Sequence, residues 1–133
     1  IRRMSEPSWE KTIPVVPMGK PRMTRRDKWA KRPCVLRYHE FRDTIKAHCK
    51  DFPESAVRVD WTAWLPMPKS WSQKKKDELS GQLHRAKPDR DNIDKAILDS
   101  LLKDDSMVAL GYLEKRWDDG KGARIDIKAW KTT

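Results

Sequence analysis

Residues 57–65 read Val57-Arg58-Val59-Asp60-Trp61-Thr62-Ala63-Trp64-Leu65. Val57, Val59, Trp61, Ala63 and Leu65 alternate with Arg58, Asp60, Thr62 and Trp64, a period of two that sends the two sets to opposite faces of a strand. An apolar set on one side only predicts a sheet with one buried face. Pro66 and Pro68 have no N–H to give to a ladder and stop the strand.

Working upstream, Tyr38, Phe41, Ile45 and Cys49 recur every three or four residues, which predicts an amphipathic helix from Tyr38 to Lys50 that ends before Pro53. Thr12–Val16 is β-branched and reads as a first strand, closed by Pro17 and Gly19. Residues 1–11 are expected to form a flexible N-terminal segment, and residues 12–133 a single domain.

Downstream, Ser72 is placed to N-cap a short helix through Leu79, with Gly81 as its stop. Pro88 keeps Lys87 out of helical geometry, and a helix follows from about Asp91 to Leu102. Met107–Trp117 and Ala123–Trp130 are apolar enough for two strands, and Asp118-Asp119-Gly120-Lys121-Gly122 reads as a hairpin turn between them. The order β-α-β-α-α-β-β lacks strict alternation. It predicts an α+β fold: a small mixed sheet with helices packed on one side.

Charge narrows the function. The 133 residues carry 30 Lys plus Arg against 20 Asp plus Glu, a formal net charge of +10, which favours an anionic partner such as nucleic acid. No apolar run approaches a membrane span, and no secretory h-region is present. Two cysteines are too few for a disulfide framework, so a reducing cytosol is the expected setting.

Within this basic chain, residues 87–105 concentrate Asp89, Asp91, Asp94, Asp99, Asp104 and Asp105. Carboxylates gathered in one place repel one another unless a cation lies among them, and Mg²⁺ is commonly held by a few carboxylates, waters and substrate phosphates. On a helix, Asp91, Lys95 and Asp99 form one stripe, with Ile93, Ile97 and Leu101 on roughly the opposite side as the core face. The ordinary alternative is that Asp89 or Asp91 caps the helix, that Asp91–Lys95–Asp99 are solvated ion pairs, and that Asp104-Asp105 is a turn. Acid for a metal and base for a phosphate backbone together point to metal-dependent cleavage of nucleic acid. A non-enzymatic basic DNA-binding protein is the competing reading. A zinc site from Cys34, His39, His48 and Cys49 matches no standard spacing.

Leu98 and Leu102 add apolar surface beside the acidic stripe, so this helix is either deep in its own fold or packed on a second chain. The polar composition favours a second chain, with Val108 and Leu110 as neighbours.

The run Lys87-Pro88-Asp89-Arg90-Asp91-Asn92-Ile93-Asp94-Lys95, followed by Asp99-Ser100-Leu101 and Asp104-Asp105, resembles the signature of the RusA family of Holliday-junction resolvases. Gly19-Lys20-Pro21-Arg22, Pro68-Lys69-Ser70-Trp71-Ser72, His84 and Lys115-Arg116-Trp117 resemble its surroundings, so the likeness runs from about residue 12 to 130. The resemblance implies a cytoplasmic enzyme, bacterial or encoded by a phage or prophage. It would be a homodimeric endodeoxyribonuclease that uses Mg²⁺, with Mn²⁺ substituting, and cuts four-way DNA junctions by paired hydrolysis in recombination and repair. No membrane and no small-molecule substrate are implied.

By the same resemblance Asp89, Asp91 and Asp105 are metal ligands and catalytic, and Lys95 is the motif's catalytic lysine. Only Ser100–Lys103 separate Asp99 from Asp104, a shorter connection than in some relatives; Asp105 is favoured over Asp104. Lys20, Arg22, Arg25, Arg26 and Lys87 are the candidate phosphate contacts.

Overall fold

The computed structural model describes residues 6–22 and 32–131. Its elements are β1 (Trp9–Ile13), α1 (Pro33–His48), β2 (Ala56–Leu65), α2 (Gln73–Leu79), α3 (Arg90–Leu101), β3 (Leu113–Trp117) and β4 (Arg124–Lys131). The strands form one sheet in the order β1-β4-β2-β3. β4 runs antiparallel to both β1 and β2, whereas β2 and β3 are parallel. The fold is α+β with a mixed sheet, in the expected order of elements. Among the described residues no helix is long and apolar enough to cross a membrane.

The alternation in β2 sets the core. Val59, Trp61, Ala63 and Leu65 are buried, and Trp61 and Ala63 stand opposite Ile127 and Ile125 of β4. Ile13 of β1 reaches the same Ile125 from the other side. Tyr38, Phe41 and Ile45 of α1 and Ile93, Ala96 and Ile97 of α3 close over this layer. The opposite face of β2 is polar: Arg124 stacks on Trp64 at 4.3 Å and Arg58 on Trp130 at 4.3 Å, so two tryptophans lie outside the main core.

Ser72 caps α2 as expected, its Oγ accepting from Lys75 N at 3.2 Å. α1 begins earlier than its apolar repeat indicates, because Pro33 is accommodated in the first turn, where its missing N–H has no intrahelical role. β1 also lies earlier than Thr12–Val16. Trp9, Glu10 and Lys11, expected in the flexible segment, pair with Ala129, Lys128 and Ile127. Pro14 has no N–H to continue the ladder, and Val16 is exposed.

Two expectations about the C-terminal strands are corrected. Within Met107–Trp117 only Leu113–Trp117 is strand. The preceding residues follow β2 irregularly, with Ala109 N on Val57 O at 2.8 Å and Val59 N on Leu110 O at 3.1 Å. Gly111 passes so close to β2 that a Cβ there would lie 2.5 Å from Val59 O. The loop after β3 is not a hairpin turn, since β2 lies between β3 and β4. It crosses the end of β2, where Asp118 N donates to Leu65 O at 2.8 Å. Gly120 and Gly122 take φ of 96° and 103°, which lets the chain turn there.

α3 is buried in its own fold. Leu98 is only 9% exposed, and Leu102 and Val108 pack on the same core, so the placement of this helix against a second chain is corrected. Asp94 ties it to the sheet by accepting from Trp61 Nε1 at 2.9 Å.

Trp61→Phe and Asp94→Ala are each expected to destabilise the fold by about 1–3 kcal/mol in urea unfolding. The double variant should lose less than the sum, because both remove one bond. Full additivity would show that the bond contributes nothing.

Candidate active site

The site is built at the free edge of β3. Residues 81–84 run antiparallel along that edge, with Trp117 N on Gln82 O at 2.9 Å and His84 N on Lys115 O at 2.9 Å. The chain then meets the Lys115 ammonium, which donates to Ala86 O at 2.6 Å and Pro88 O at 2.8 Å. These two bonds hold the three-residue turn that delivers Asp89 to the start of α3.

Asp89 stands at the N-cap of α3, but its carboxylate makes no capping bond. It accepts instead from Lys87 Nζ at 2.8 Å. That hydrogen bond and charge hold the Asp89 carboxyl below the usual carboxylate range, with Lys115 adding to the effect. The Lys87 ammonium is raised by Asp89 and, more weakly, by Asp91, so it sits in the field of both acids. Asp91 is exposed in the first turn of α3. Burial pushes Lys115 below its ordinary value; Asp89 opposes this, while Lys87 and Arg90 reinforce it.

Farther along α3, Asp99 pairs with Lys20 at 2.6 Å rather than with Lys95. Lys20 arrives by backbone contact: its N–H donates to Asn92 O at 3.1 Å, and a Cβ on Gly19 would lie 3.1 Å from Asn92 Cβ. Its ammonium is raised first by Asp99, and Asp105 also contributes. Lys95 is exposed on α3 and forms no ion pair among the described residues.

Asp104 accepts from Ser106 N at 3.0 Å, a local turn bond that lowers its carboxyl. The Asp105 side chain has no such bond and is exposed. Among the described residues no three His, Cys, Asp or Glu side chains converge to hold a metal ion. Asp89 and Asp91 share the start of α3, about 18 Å from its end, and Asp105 follows that end on a short connection. Arg22 is exposed and its carbonyl accepts from Arg32 at 2.8 Å, whereas Arg25 and Arg26 lie outside the described residues.

Beside Asp89 opens a cleft lined by Arg85, Lys87, Arg90 and Lys115. This pairing of exposed carboxylates with a cationic groove is an arrangement for handling a phosphodiester. The profile described as Endodeoxyribonuclease RusA matches residues 12–128. The chain belongs to the RusA endodeoxyribonuclease family. That membership indicates an endonuclease acting on Holliday junctions. No curated protein matches the chain.

For a RusA chain, the residues that sequence reasoning left without a role are Arg85, Arg90 and Lys115. Lys115 lay within the quoted Lys115-Arg116-Trp117, yet nothing local announces that its ammonium crosses to Ala86 and Pro88.

Lys115→Met, which keeps the length but removes the donors, should destabilise the protein by roughly 1–3 kcal/mol. It should also speed amide hydrogen exchange in residues 86–91. Unchanged exchange there would show that Lys115 does not hold the turn.

Burial, with help from Lys115, also pushes His84 below its ordinary value of 6.5. The unfolded chain therefore takes up a proton that the folded chain resists. The resulting stability is full above 6.5 and declines as pH falls below it. The urea midpoint should drop between about pH 7 and about pH 5.5, and His84→Gln should flatten that slope; an equal slope in the variant would assign the loss to other groups.

Proposed function

We propose that this chain is a Mg²⁺-dependent resolvase that cuts four-way DNA junctions by paired symmetric hydrolysis, as a homodimer, in DNA recombination and repair. The observation that carries the reading is the Asp89–Asp91 pair, exposed at the start of α3 beside a cleft of cations, with the Lys87 ammonium already on Asp89. A site that draws an ammonium toward two carboxylates has the hard oxygen donors that Mg²⁺ takes, and Mg²⁺ needs only one or two carboxylates when phosphates and waters supply the rest. Mn²⁺ would serve the same donors. Bound there, a divalent cation supplies Lewis-acid stabilisation of the phosphoryl oxygens and a more acidic water.

The chain's own residues take the remaining roles. Asp89 and Asp91 hold the cation, and Asp105 is the third carboxylate, since Asp104 is engaged by Ser106. The three do not converge among the described residues, so Asp105 would have to come nearer the other two when the cation binds. Lys95, one turn beyond Asp91, donates to the charge that develops on the phosphate.

Lys87, Arg22, Arg25 and Arg26 contact backbone phosphates, which fix register without reading sequence. Lys20 joins them by exchanging Asp99 for a phosphate; its pair is half-exposed and inexpensive to break. Two cuts related by the near two-fold symmetry of a junction need two sites related by a two-fold axis, which a homodimer provides. The enzyme would act in the cytoplasm of a bacterium or a phage-infected cell.

Labelled four-way junction, replication fork and linear duplex, each with Mg²⁺ or EDTA, test the reading. Paired cuts confined to the junction and dependent on metal are expected. Binding without cleavage under every metal condition would favour the non-enzymatic DNA-binding alternative.

Asp89→Asn, Asp91→Asn and Asp105→Asn should each abolish cutting while junction affinity stays the same or rises, because repulsion of phosphate is also removed. Normal cutting by Asp105→Asn with loss in Asp104→Asn would reverse the choice within the pair. Lys95→Ala should lose activity far more than affinity. Arg22→Ala should lose affinity first and reduce the salt slope by about 1; equal affinity losses would make Lys95 another phosphate contact.

A further inference from the structure

We propose that the cleft between Leu83 and Tyr112, next to Asp89, receives a nucleobase unstacked from the branched DNA beside the phosphate to be cut. The inference rests on the endonuclease reading and names the part of the substrate that this region takes. The cleft has a volume of about 460 Å³, and it shares Arg85, Arg90 and Lys115 with the groove that holds Asp89. A base seated there lies on a nucleotide adjoining the acidic site.

The walls have the right chemistry for a flat ring with anions on either side. Leu83 is 57% and Tyr112 63% exposed, which leaves two large apolar surfaces in water at the mouth of a cationic cleft. Arg85 and Arg90 are exposed and able to reach phosphates or stack. The one acid of the wall, Glu114, is engaged by the Arg116 guanidinium. Every base has a π-face, and aromatic and arginine side chains take it without reading its edge.

Both apolar walls stand on fixed backbone. Tyr112 N donates to Asp60 Oδ1 at 2.9 Å and Tyr112 O accepts from Trp61 N at 3.1 Å. Gly111 before it is locked against β2, where any Cβ would meet Val59 O at 2.5 Å. Leu83 bridges to Arg116 between the hydrogen bonds of Gln82 and His84. A gap built in advance loses little ordering entropy on filling. Bases within a duplex show only their edges in the grooves. A ring-face contact therefore needs a base out of the stack, which is least costly where pairing is already disturbed.

The experiment uses the full chain in EDTA, so that the junction stays intact, with the cut position mapped separately in Mg²⁺. Affinity is measured for the junction and for junctions carrying an abasic site at each nucleotide flanking the cut. Tyr112→Ala should bind the intact junction roughly tenfold more weakly, within the range of base–aromatic stacking. At one abasic position that difference should vanish, and Tyr112→Phe should match the wild type. A urea midpoint equal to the wild type's establishes that the exposed ring is not a folding determinant. Undiminished affinity in Tyr112→Ala, or an equal loss on every abasic junction, overturns the base pocket while wild-type cutting keeps the endonuclease reading. A wild-type protein that cuts no branched DNA removes both.

Discussion

Trp61 gives its indole N–H to Asp94 at 2.9 Å and its backbone N–H to Tyr112 O at 3.1 Å, so a single residue in the middle of β2 joins strand, helix and loop. Its ring is 1% exposed, packed in the layer shared with Ile127 and α3. This bond ties the first turns of α3 to the sheet, close to where Asp89 and Asp91 emerge. The position of Tyr112 follows from the backbone bond. Asp94 thus sits in the middle of the acidic motif but serves packing, while its neighbours three and five residues earlier face solvent. The two duties are separated along the helix: Asp94 lies one turn in, bonded to Trp61, whereas Asp89 and Asp91 stand at its exposed start.

The excess of positive charge explains why a group of acids can exist at all. Lys87 answers Asp89, and Lys20 answers Asp99. Neither pair is deeply buried, so neither adds much stability. In the proposed mechanism both pairs would be exchanged: a cation entering among the carboxylates would release Lys87 toward phosphate, and a phosphate arriving near α3 would draw Lys20 off Asp99. Substrate and metal would then each favour the other's binding, without any change in the core.

What was legible in the sequence was whatever depends on near neighbours. The alternation of β2 from Val59 to Leu65, the Ser72 cap and the Ile93–Ile97 face are local patterns, and each appears in the structure as read. Only Val57 departs, left half-buried with Ala56 buried in its place by a register shift between Ala56 and Arg58. Pairing across distance was not legible. Asp118–Gly122 has the composition of a hairpin turn, yet β4 pairs with β1 and β2 because its Ile125, Ile127 and Ala129 complete the apolar layer. Leu98 looked like surface for a second chain because the sequence does not show α1 lying beside α3. At the candidate site, the acids and Lys95 could be proposed from their motif. The partners that orient them could not: Lys115 reaches Pro88 from 27 positions away, through an edge that forms only once β3 has paired with β2.

That edge is also a structural problem that the site resolves. β3 is short and lies at the rim of the sheet, where unpaired N–H and C=O groups invite pairing with another chain. Residues 81–84 cover it with three backbone hydrogen bonds, from Gly81 to Trp117, Trp117 to Gln82 and His84 to Lys115. The same antiparallel run aims the chain at Pro88 and Asp89, and it leaves Leu83 on the outside as one wall of the cleft. The same backbone pairing therefore protects the sheet and positions the candidate site. A change that frees residues 81–84 exposes the edge and displaces Asp89 together. Stability and activity are accordingly coupled here more tightly than on the polar face of β2, where Arg124 and Arg58 cover tryptophans without touching the acids.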